Sequence, residues 1–405
     1  MTGQEMPYLT RELPGIGGRI KERTADFRVE EIPLYAPCGE GTHVYFRVSK
    51  AGVPTPVAVD RIARYMGCKP TEIGVAGWKD AQAVTVQMMS LEHADADKLA
   101  AYHDSQVRVT WVSRHTNKLR PGHLAANRFR IRIRGAGEPQ LDAGRAVLDV
   151  LSGRGTPNYF GAQRFGARAD TAELGEALVR DDREEFVAIL LGRARPDDPP
   201  DCKAARDAFD AGFLDRALQA WPRHYGNERR ALAAYKRSRK CGPAIGAIDK
   251  RMRRFYVSAF QSAIFNEVLA ARIDTIDRVF LGDLAQKTDT GGVFRVADEA
   301  AEQPRAAAFE ISPTGPLVGS RCELAEGEGG RIEREVIERH GVATDALRKV
   351  GTLKVKGGRR ALRFPMDDPA LTAGTDEHGE YLELCFAAPS GCYATVVLRE
   401  LMKSD

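Results

Sequence analysis

The sequence predicts an α+β fold in which a mostly antiparallel sheet is interrupted by an inserted domain. Period-two apolar patterns fill the first third of the chain, and helical patterns dominate from Gly153 to Arg254. Strand-like patterns then return towards the C-terminus, and this order of strands, helices and strands is typical of an α+β protein with an insertion. The predicted division is a first domain part at residues 1–157, an inserted α+β domain at 158–354 and a closing part at 355–405.

The first elements follow from local patterns. In residues 27–31, Phe27, Val29 and Glu31 alternate with Arg28 and Glu30, which predicts a strand with Phe27 near its beginning. Residues 43–48 predict a second strand, and APCGEGT between the two is expected to form a hairpin loop. Thr55 is expected to cap a helix that runs through Met66.

The stretch TEIGVAGWKDAQAVTVQ, residues 71–87, is the centre of the functional argument. A short apolar run turns at Gly77, and the chain resumes as a strand after presenting Trp78, Lys79 and Asp80. A carboxylate at the tip of such a strand-turn-strand unit is accessible while its backbone is held by a rigid scaffold. The four turn residues alone favour a solvated surface turn, so the functional interpretation depends on the other features of the chain.

A further strand pair is predicted between residues 106 and 134. Its second strand, residues 128–134, alternates three apolar side chains with four arginines. The arginine face either contacts phosphates or only keeps the sheet edge soluble. The polar loop HTNKLRPGHLAAN holds Asn127, which with Phe129 can hydrogen-bond and stack on a flipped base, whereas core packing is the other interpretation of Phe129.

The second half of the chain is described more coarsely. The segment PNYFGAQRFG groups three aromatic residues and two glycines around Arg164. Residues 255–272 form an amphipathic helix pattern with an aromatic stripe that predicts a core helix. Residues 279–345 are expected to form short strands and loops, and the last elements are two strands and a final strand or helix, at 359–365, 381–388 and 391–402.

Composition excludes several classes of protein. The 405 residues are 43% hydrophobic and 29% charged, as in ordinary globular proteins, and no apolar run is long enough to cross a bilayer. The seven cysteines are scattered without a CxxC pair, which argues against a zinc ribbon or a disulfide framework. A cytoplasmic protein with reduced thiols and no membrane partner is predicted.

The positive charge is segregated although the net charge is only +4. Residues 105–137 hold eight Lys/Arg and no acid, residues 222–254 hold eleven against two acids, and residues 348–363 hold seven and no acid. Such segments are expected to line a cleft that tracks nucleic-acid phosphates, with solvated basic faces as the alternative.

The common cofactor motifs are absent. No GxGxxG follows a strand, no GxxxxGK[ST] occurs, and the eight histidines have no HExxH spacing. No GxSxG sequence is present either. A mechanism without cofactor or metal, built on a carboxylate, remains after this elimination.

Five blocks together resemble the TruD family of tRNA pseudouridine synthases. They are KERTADFRVEE, AGWKDAQAVTVQ, ANRFRIRIR, NYFGAQRFG and PSGCYATVVLREL, in this order along the chain. The resemblance implies a split pseudouridine-synthase catalytic domain with an inserted TRUD domain. It also implies conversion of a uridine in tRNA, typically at position 13, into its C5-linked isomer without cofactor or metal.

The resemblance implies a role for particular residues as well. Asp80 matches the catalytic carboxylate, which can attack the ribose C1′ or the uracil C6, or stabilise charge as the glycosidic bond breaks. The other positions expected at the substrate or the RNA are Lys21, Phe27, Lys79, Asn127, Phe129 and Arg164.

Two other functions compete with the synthase. A tRNA-binding protein or RNA chaperone would share the basic surfaces, but it needs no buried carboxylate facing a polyanion. A methyltransferase would require a glycine-rich cofactor loop, which the sequence lacks.

Overall fold

The computed structural model describes residues 6–341, 349–350 and 353–404. They form two compact units, which we call the sheet unit and the insert unit. The sheet unit comprises Tyr8–Thr156 and residues 364–404, and the insert unit comprises residues 6–7 and Pro157–Arg363. The sequence predicts the insertion to begin at residue 158 and to end before residue 355.

The first segment of the sheet unit contains six strands and three α-helices. The strands are β1 (Phe27–Pro33), β2 (His43–Ala51), β3 (Gly74–Val75), β4 (Val84–Glu92), β5 (Val107–His115) and β6 (Leu124–Arg134). The helices are α1 (Thr55–Met66), α2 (Ala96–Ala100) and α3 (Glu138–Arg154). The predicted start of β1 and the predicted helix α1 are confirmed. Helix α3 was missed, although Leu141, Leu148 and Leu151 lie on its buried side at helical spacing.

The insert unit is helical first and mixed later. Strand β7 (Thr156–Pro157) precedes it, and its helices are α4 (Thr171–Val179), α5 (Arg183–Leu191), α6 (Pro200–Asp210), α7 (Leu214–Ala220), α8 (Gly226–Ser238), α9 (Cys241–Gly246) and α10 (Lys250–Ala271). The following elements are β8 (Leu284–Lys287), β9 (Val293–Arg295), α11 (Glu299–Ala307), β10 (Ile311–Leu317), α12 (Gly327–Arg339), β11 (Lys349–Val350), β12 (Leu353–Lys354), β13 (Gly358–Ala361) and β14 (Arg363–Phe364).

The prediction of only strands and loops at 279–345 is wrong because α11 and α12 lie there. Helix α11 contains Pro304, and α12 opens with a glycine-rich turn, so both segments have the composition of loops. The glycines of α12 instead permit close packing, since a Cβ on Gly330 would lie 2.0 Å from the carbonyl oxygen of Ala325. The predicted core helix is confirmed as α10, whose Phe260, Ile264 and Phe265 are buried.

The sheet unit closes with β15 (Asp367–Asp376), β16 (Gly379–Pro389) and α13 (Ala394–Met402). Its eight-stranded sheet has the order β15-β16-β6-β1-β4-β2-β5, with β3 on β4. All of these pairs are antiparallel except β1 with β4, so the predicted α+β class with a mostly antiparallel sheet is confirmed.

Two predicted pairings are wrong. Strands β1 and β2 do not form a hairpin, because β4 returns from helix α1 and lies between them. Strands β5 and β6 exist as predicted but do not pair, since β5 contacts β2 and β6 lies between β1 and β16. The edge arrangement follows from hydrogen bonds between distant segments, which local patterns do not encode.

Helix α1 covers one face of the sheet at the end that carries the candidate site. Val44, Phe46 and Val48 of β2 pack against Ala58 and Ile62 of the helix. Among the described residues, no helix is long and apolar enough to cross a membrane. All seven cysteines are free thiols.

Candidate active site

Asp80 lies on the loop between β3 and β4, which we call the Asp80 loop (residues 76–83). Its side chain is 53% exposed, and its Oδ2 accepts a hydrogen bond from Lys21 Nζ at 3.1 Å. The predicted accessibility of this carboxylate is confirmed, because the loop tip holds the side chain in solvent. The head group is open to a large substrate.

Lys21 reaches Asp80 through an unusual backbone conformation. Its φ is +58°, a left-handed value that non-glycine residues adopt rarely and at a cost of about 1–3 kcal/mol. Its Nζ also lies 4.7 Å from the centroid of the Phe27 ring, within cation–π range. Lys21 thus connects Asp80 to the first residue of β1.

Lys79 points away from Asp80, as expected for neighbouring residues of an extended segment. Its Nζ lies 2.8 Å from Oε1 of Glu31 on β1, and both side chains are buried. The other oxygen of Glu31 accepts a hydrogen bond from the amide of Met88 at 2.9 Å. The Lys79–Glu31 ion pair therefore ties the Asp80 loop to β1 and to β4, and the expected RNA contact of Lys79 stays a prediction.

A second group of polar side chains holds the loop backbone. The amide of Lys79 donates to Thr55 Oγ1 at 2.9 Å, and the Thr55 hydroxyl donates to Gln87 Oε1 at 2.8 Å. Gln87 Nε2 then donates to the carbonyl of Gly77 at 3.3 Å. Thr55 is not the predicted cap of α1, because Pro54 occupies the N-cap position and the threonine side chain serves the loop.

The aromatic residues form an apolar floor beside this loop. Phe27 and Phe129 are buried with ring centroids 6.5 Å apart at 72°, and Phe129 stacks on Phe386 at 5.0 Å. Burial agrees with the core interpretation of Phe129. The platform role stays a prediction for both rings.

Asn127 belongs to β6 rather than to the polar loop where the sequence placed it. It is paired with Glu31 across the β1–β6 ladder, on the face that also carries Phe129. Its Oδ1 is buried and has no hydrogen-bond partner within the described residues. A buried polar atom without a partner is costly, and a ligand group is one way to satisfy it.

The arginine face of β6 is divided into two parts. Arg132 and Arg134 bind carboxylates: Arg132 Nη1 lies 2.9 Å from Asp376, and Arg134 Nη2 lies 2.6 Å from Asp26. The interpretation that Arg134 contacts phosphate is wrong, because the arginine is buried together with Asp26. Arg128 and Arg130 are exposed. For these two residues, both predicted interpretations, phosphate contact and a solubilising surface, remain open.

The remaining predicted residue, Arg164, belongs to the insert unit. Its guanidinium donates to the hydroxyls of Ser262, at 3.2 Å, and Ser258. In the third basic segment, Arg359 pairs with Glu333 at 2.6 Å and Arg363 is buried, so neither is a solvated basic group. Arg348 lies outside the described residues.

Sequence reasoning assigned no role in the site to several residues that the structure places at the loop. Glu31, Thr55 and Gln87 hold the loop, and Trp78 on the loop is 64% exposed. Lys50, near the end of β2, donates a hydrogen bond from its Nζ to the main-chain carbonyl of Asp80 in the loop. Glu31, Gln87 and Lys50 are polar residues at inward-facing strand positions, which is a recognisable pattern because buried polar groups require partners.

No group of three or more potential metal ligands occurs within the described residues. The family model for "tRNA pseudouridine synthase D (TruD)" matches residues 4–401. The chain belongs to the TruD family. The family predicted from the sequence is therefore confirmed.

Individual relatives of the TruD family cover the chain almost completely. The tRNA pseudouridine synthase D of Geobacter metallireducens is 44% identical over 404 residues, which is 100% of this chain and 99% of the relative. The protein of the same name from Anaeromyxobacter dehalogenans strain 2CP-C is 37% identical over 99% of this chain and 97% of its own length. A crystal structure from Methanosarcina mazei, titled as a candidate tRNA pseudouridine synthase D, superposes with a TM-score of 0.88 at 27% identity and covers 100% of this chain and 99% of its own.

Proposed function

We propose that this protein is a tRNA pseudouridine synthase that isomerises a uridine, at position 13 of tRNA, with Asp80 as its catalytic residue and without metal or cofactor. Membership of the TruD family supports the reaction class. The observation that carries the assignment of Asp80 is the exposed carboxylate on a loop whose backbone is fixed by buried side chains.

The reaction is chemically balanced without a second substrate. The bond between N1 of uracil and C1′ of ribose breaks, and a bond between C5 and C1′ forms. The proton on C5 leaves, and N1 of the product carries a proton. No electrons or groups are gained or lost, so the isomerisation has no requirement for a redox or group-transfer cofactor.

Asp80 has three possible roles in these steps. Its carboxylate can attack C1′, attack C6 of the base, or stabilise the positive charge that develops on the ribose. Each role needs a carboxylate that meets the nucleotide in a fixed orientation. Lys21, 3.1 Å from Asp80, also offsets the repulsion between this carboxylate and the RNA phosphates.

The target base must leave its stack to reach Asp80, as in other enzymes that act on bases. Phe27 and Phe129 offer an apolar floor for the extruded uracil. The side-chain amide of Asn127 has an unsatisfied oxygen on the same face. That oxygen can accept a hydrogen bond from N3–H of uracil, while the amide nitrogen can donate to a uracil carbonyl.

The test is product formation by purified protein with an unmodified tRNA pool. Pseudouridine is quantified by nucleoside chromatography for the wild type, Asp80→Ala, Asp80→Asn and the control Asp60→Asn, which changes an exposed aspartate of α1. We expect product from the wild type and the control and none from either Asp80 variant. Tight tRNA binding without product from any form would favour the non-catalytic RNA-binding protein, and product from both Asp80 variants would exclude Asp80 as the catalytic residue.

A further inference from the structure

Lys50 is a buried lysine directed at the Asp80 loop. It lies near the end of β2, and its side chain is 1% exposed. Its Nζ donates to the carbonyl of Val53 at 2.7 Å and to the carbonyl of Asp80 at 3.0 Å, and it lies 3.5 Å from the carbonyl of Lys79. The ammonium group therefore contacts the backbone of the residue that carries the exposed carboxylate.

The environment of Lys50 is unfavourable for a charge. Within the described residues, no carboxylate oxygen lies within 4.0 Å of its Nζ, although buried ammonium groups are usually paired with carboxylates. Burial lowers the pKa of Lys50 to about 8, with the charge of Asp80 opposing and that of Lys79 reinforcing the change. A methionine would fill the same space without this desolvation cost, but it would leave the carbonyls of Val53 and Asp80 without this donor.

The polar partners of the loop act on different atoms. Thr55 binds the amide of Lys79, Gln87 binds the carbonyl of Gly77, and Glu31 binds the side chain of Lys79. Of these four side chains, Lys50 is the one that binds the main chain of Asp80 itself. Loss of its hydrogen bond would free the peptide plane from which the Asp80 side chain projects.

We propose that Lys50 is a positioning residue that fixes the direction of the Asp80 carboxylate by binding the Asp80 carbonyl from inside the fold. This inference rests on the proposed function, because it assumes that Asp80 acts on the uridine. Lys50 is buried beneath the loop and does not touch RNA. Its effect therefore falls on the chemical step rather than on the affinity for tRNA.

The test is Lys50→Met, assayed by single-turnover rate and by tRNA affinity. Displacement of a reacting group by about 1 Å can reduce a rate about 100-fold, so we expect the rate to fall about 10- to 100-fold. We expect tRNA affinity to stay unchanged and the variant to remain folded. The amide of Lys79, which is bound by Thr55, should exchange its hydrogen faster because the loop is looser.

The pH dependence supplies a readout that a merely structural role would not change. Asp80 and Lys79 are the charged groups that act on Lys50, and burial lowers the pKa of this lysine to about 8. We expect the wild-type rate to decline as the pH rises through about 8, because the neutral amine has one donor fewer and no charge. The Lys50→Met rate should be low and lack this decline.

Two controls separate the possible outcomes. Lys403→Met removes a half-buried lysine of the same unit that contacts Glu400 at 3.3 Å and not the Asp80 loop, so it reports general destabilisation. Asp80→Asn tests whether the reaction depends on the Asp80 carboxylate, as the proposed function requires. An inactive Asp80→Asn with a fully active Lys50→Met would overturn the role of Lys50 alone, whereas an active Asp80→Asn would overturn the proposed site. A Lys50→Met variant that loses only tRNA affinity, or whose loss matches its unfolded fraction, would also refute the positioning role.

Discussion

Replacing Arg134 by methionine should destabilise the sheet unit and leave tRNA affinity unchanged. The guanidinium lies 2.6 Å from Asp26 and 2.7 Å from Asp376, and both Arg134 and Asp26 are buried. The hydrogen bond from Arg134 holds the pKa of Asp26 below its usual range. Without the arginine, the Asp26 carboxylate would remain inside the protein without its main partner.

The size of the effect follows from the burial of this ion pair. Removing one partner of a buried pair costs about 3–5 kcal/mol, because the other charge is left uncompensated. With a slope of about 3 kcal/mol per molar urea, the unfolding midpoint should fall by about 1–2 M. Circular dichroism in a urea series at neutral pH measures the shift, and the double variant Asp26→Asn/Arg134→Met should recover part of it.

The effect also has a definite pH dependence. Because the folded-state pKa of Asp26 is lowered, its stabilising contribution is present above the unfolded pKa of about 3.9 and is lost as the pH falls through the folded value. The difference between wild type and Arg134→Met should therefore shrink in acid.

The matched control for Arg134 lies on the same strand. Arg130 has an exposed side chain and only a 3.6 Å contact with Glu383. Arg130→Met should change stability by less than about 1 kcal/mol, as exposed ion pairs do. If Arg130 contacts phosphate, this variant should weaken tRNA binding at low salt. The structural role of Arg134 would be refuted if Arg134→Met unfolded at the same urea concentration as the wild type. It would also be refuted if the main effect of Arg134→Met were a loss of tRNA affinity.

Three further changes test other parts of the molecule. Hydrogen bonds with Glu176 and Glu267 raise the pKa of His340 to about 9, so its stabilisation is complete below the unfolded pKa of about 6.5 and is lost as the pH rises through about 9. The thermal unfolding midpoint should fall over this pH range for the wild type and stay constant for His340→Gln. Parallel curves of midpoint against pH would contradict this role of His340. Trp78→Ala should weaken tRNA affinity by about 1–3 kcal/mol, the worth of one stacked base, with Trp78→Phe retaining most of it in a filter-binding assay; equal affinities would remove Trp78 from the RNA surface. Thr55→Val should leave the amide of Lys79 without its acceptor at a cost of about 1–3 kcal/mol, and should accelerate its hydrogen exchange, whereas unchanged exchange would show that the bond does not hold the loop.

Local patterns predicted individual elements better than their arrangement. The alternation at residues 128–134 predicted β6, because the side-chain period of a strand is visible within a few residues. The position of β4 between β1 and β2 was not visible, since it depends on hydrogen bonds between segments far apart in the sequence. Helix α12 was missed because its glycines favour a loop locally, while tight packing in the folded unit stabilises a helix.

The same distinction applies to the candidate site. The accessible position of Asp80 was visible because its strand-turn-strand context is local, whereas its catalytic role was expected from the resemblance to the TruD family. Lys50 was not predicted, since a lysine near a strand end ordinarily faces solvent. Its i−2 and i−4 neighbours, Val48 and Phe46, are buried on the same face of β2. This alternation is the signal in the sequence that would have indicated an inward-facing lysine. The partner that satisfies it, the carbonyl of Asp80, becomes apparent only in three dimensions.

The two charged neighbours on the loop explain why a catalytic role suits this site better than binding alone. Lys79, which would attract RNA, is buried on Glu31, whereas Asp80, whose repulsion of RNA is offset in part by Lys21, is exposed. A surface selected only to hold a polyanion would gain affinity from the opposite arrangement. An exposed carboxylate that weakens ground-state binding is favourable only if its interaction with the substrate strengthens in the transition state. Charge developing on the ribose as the N1–C1′ bond breaks would provide such an interaction, and the hydrogen bonds on the loop backbone would hold the carboxylate in place for it.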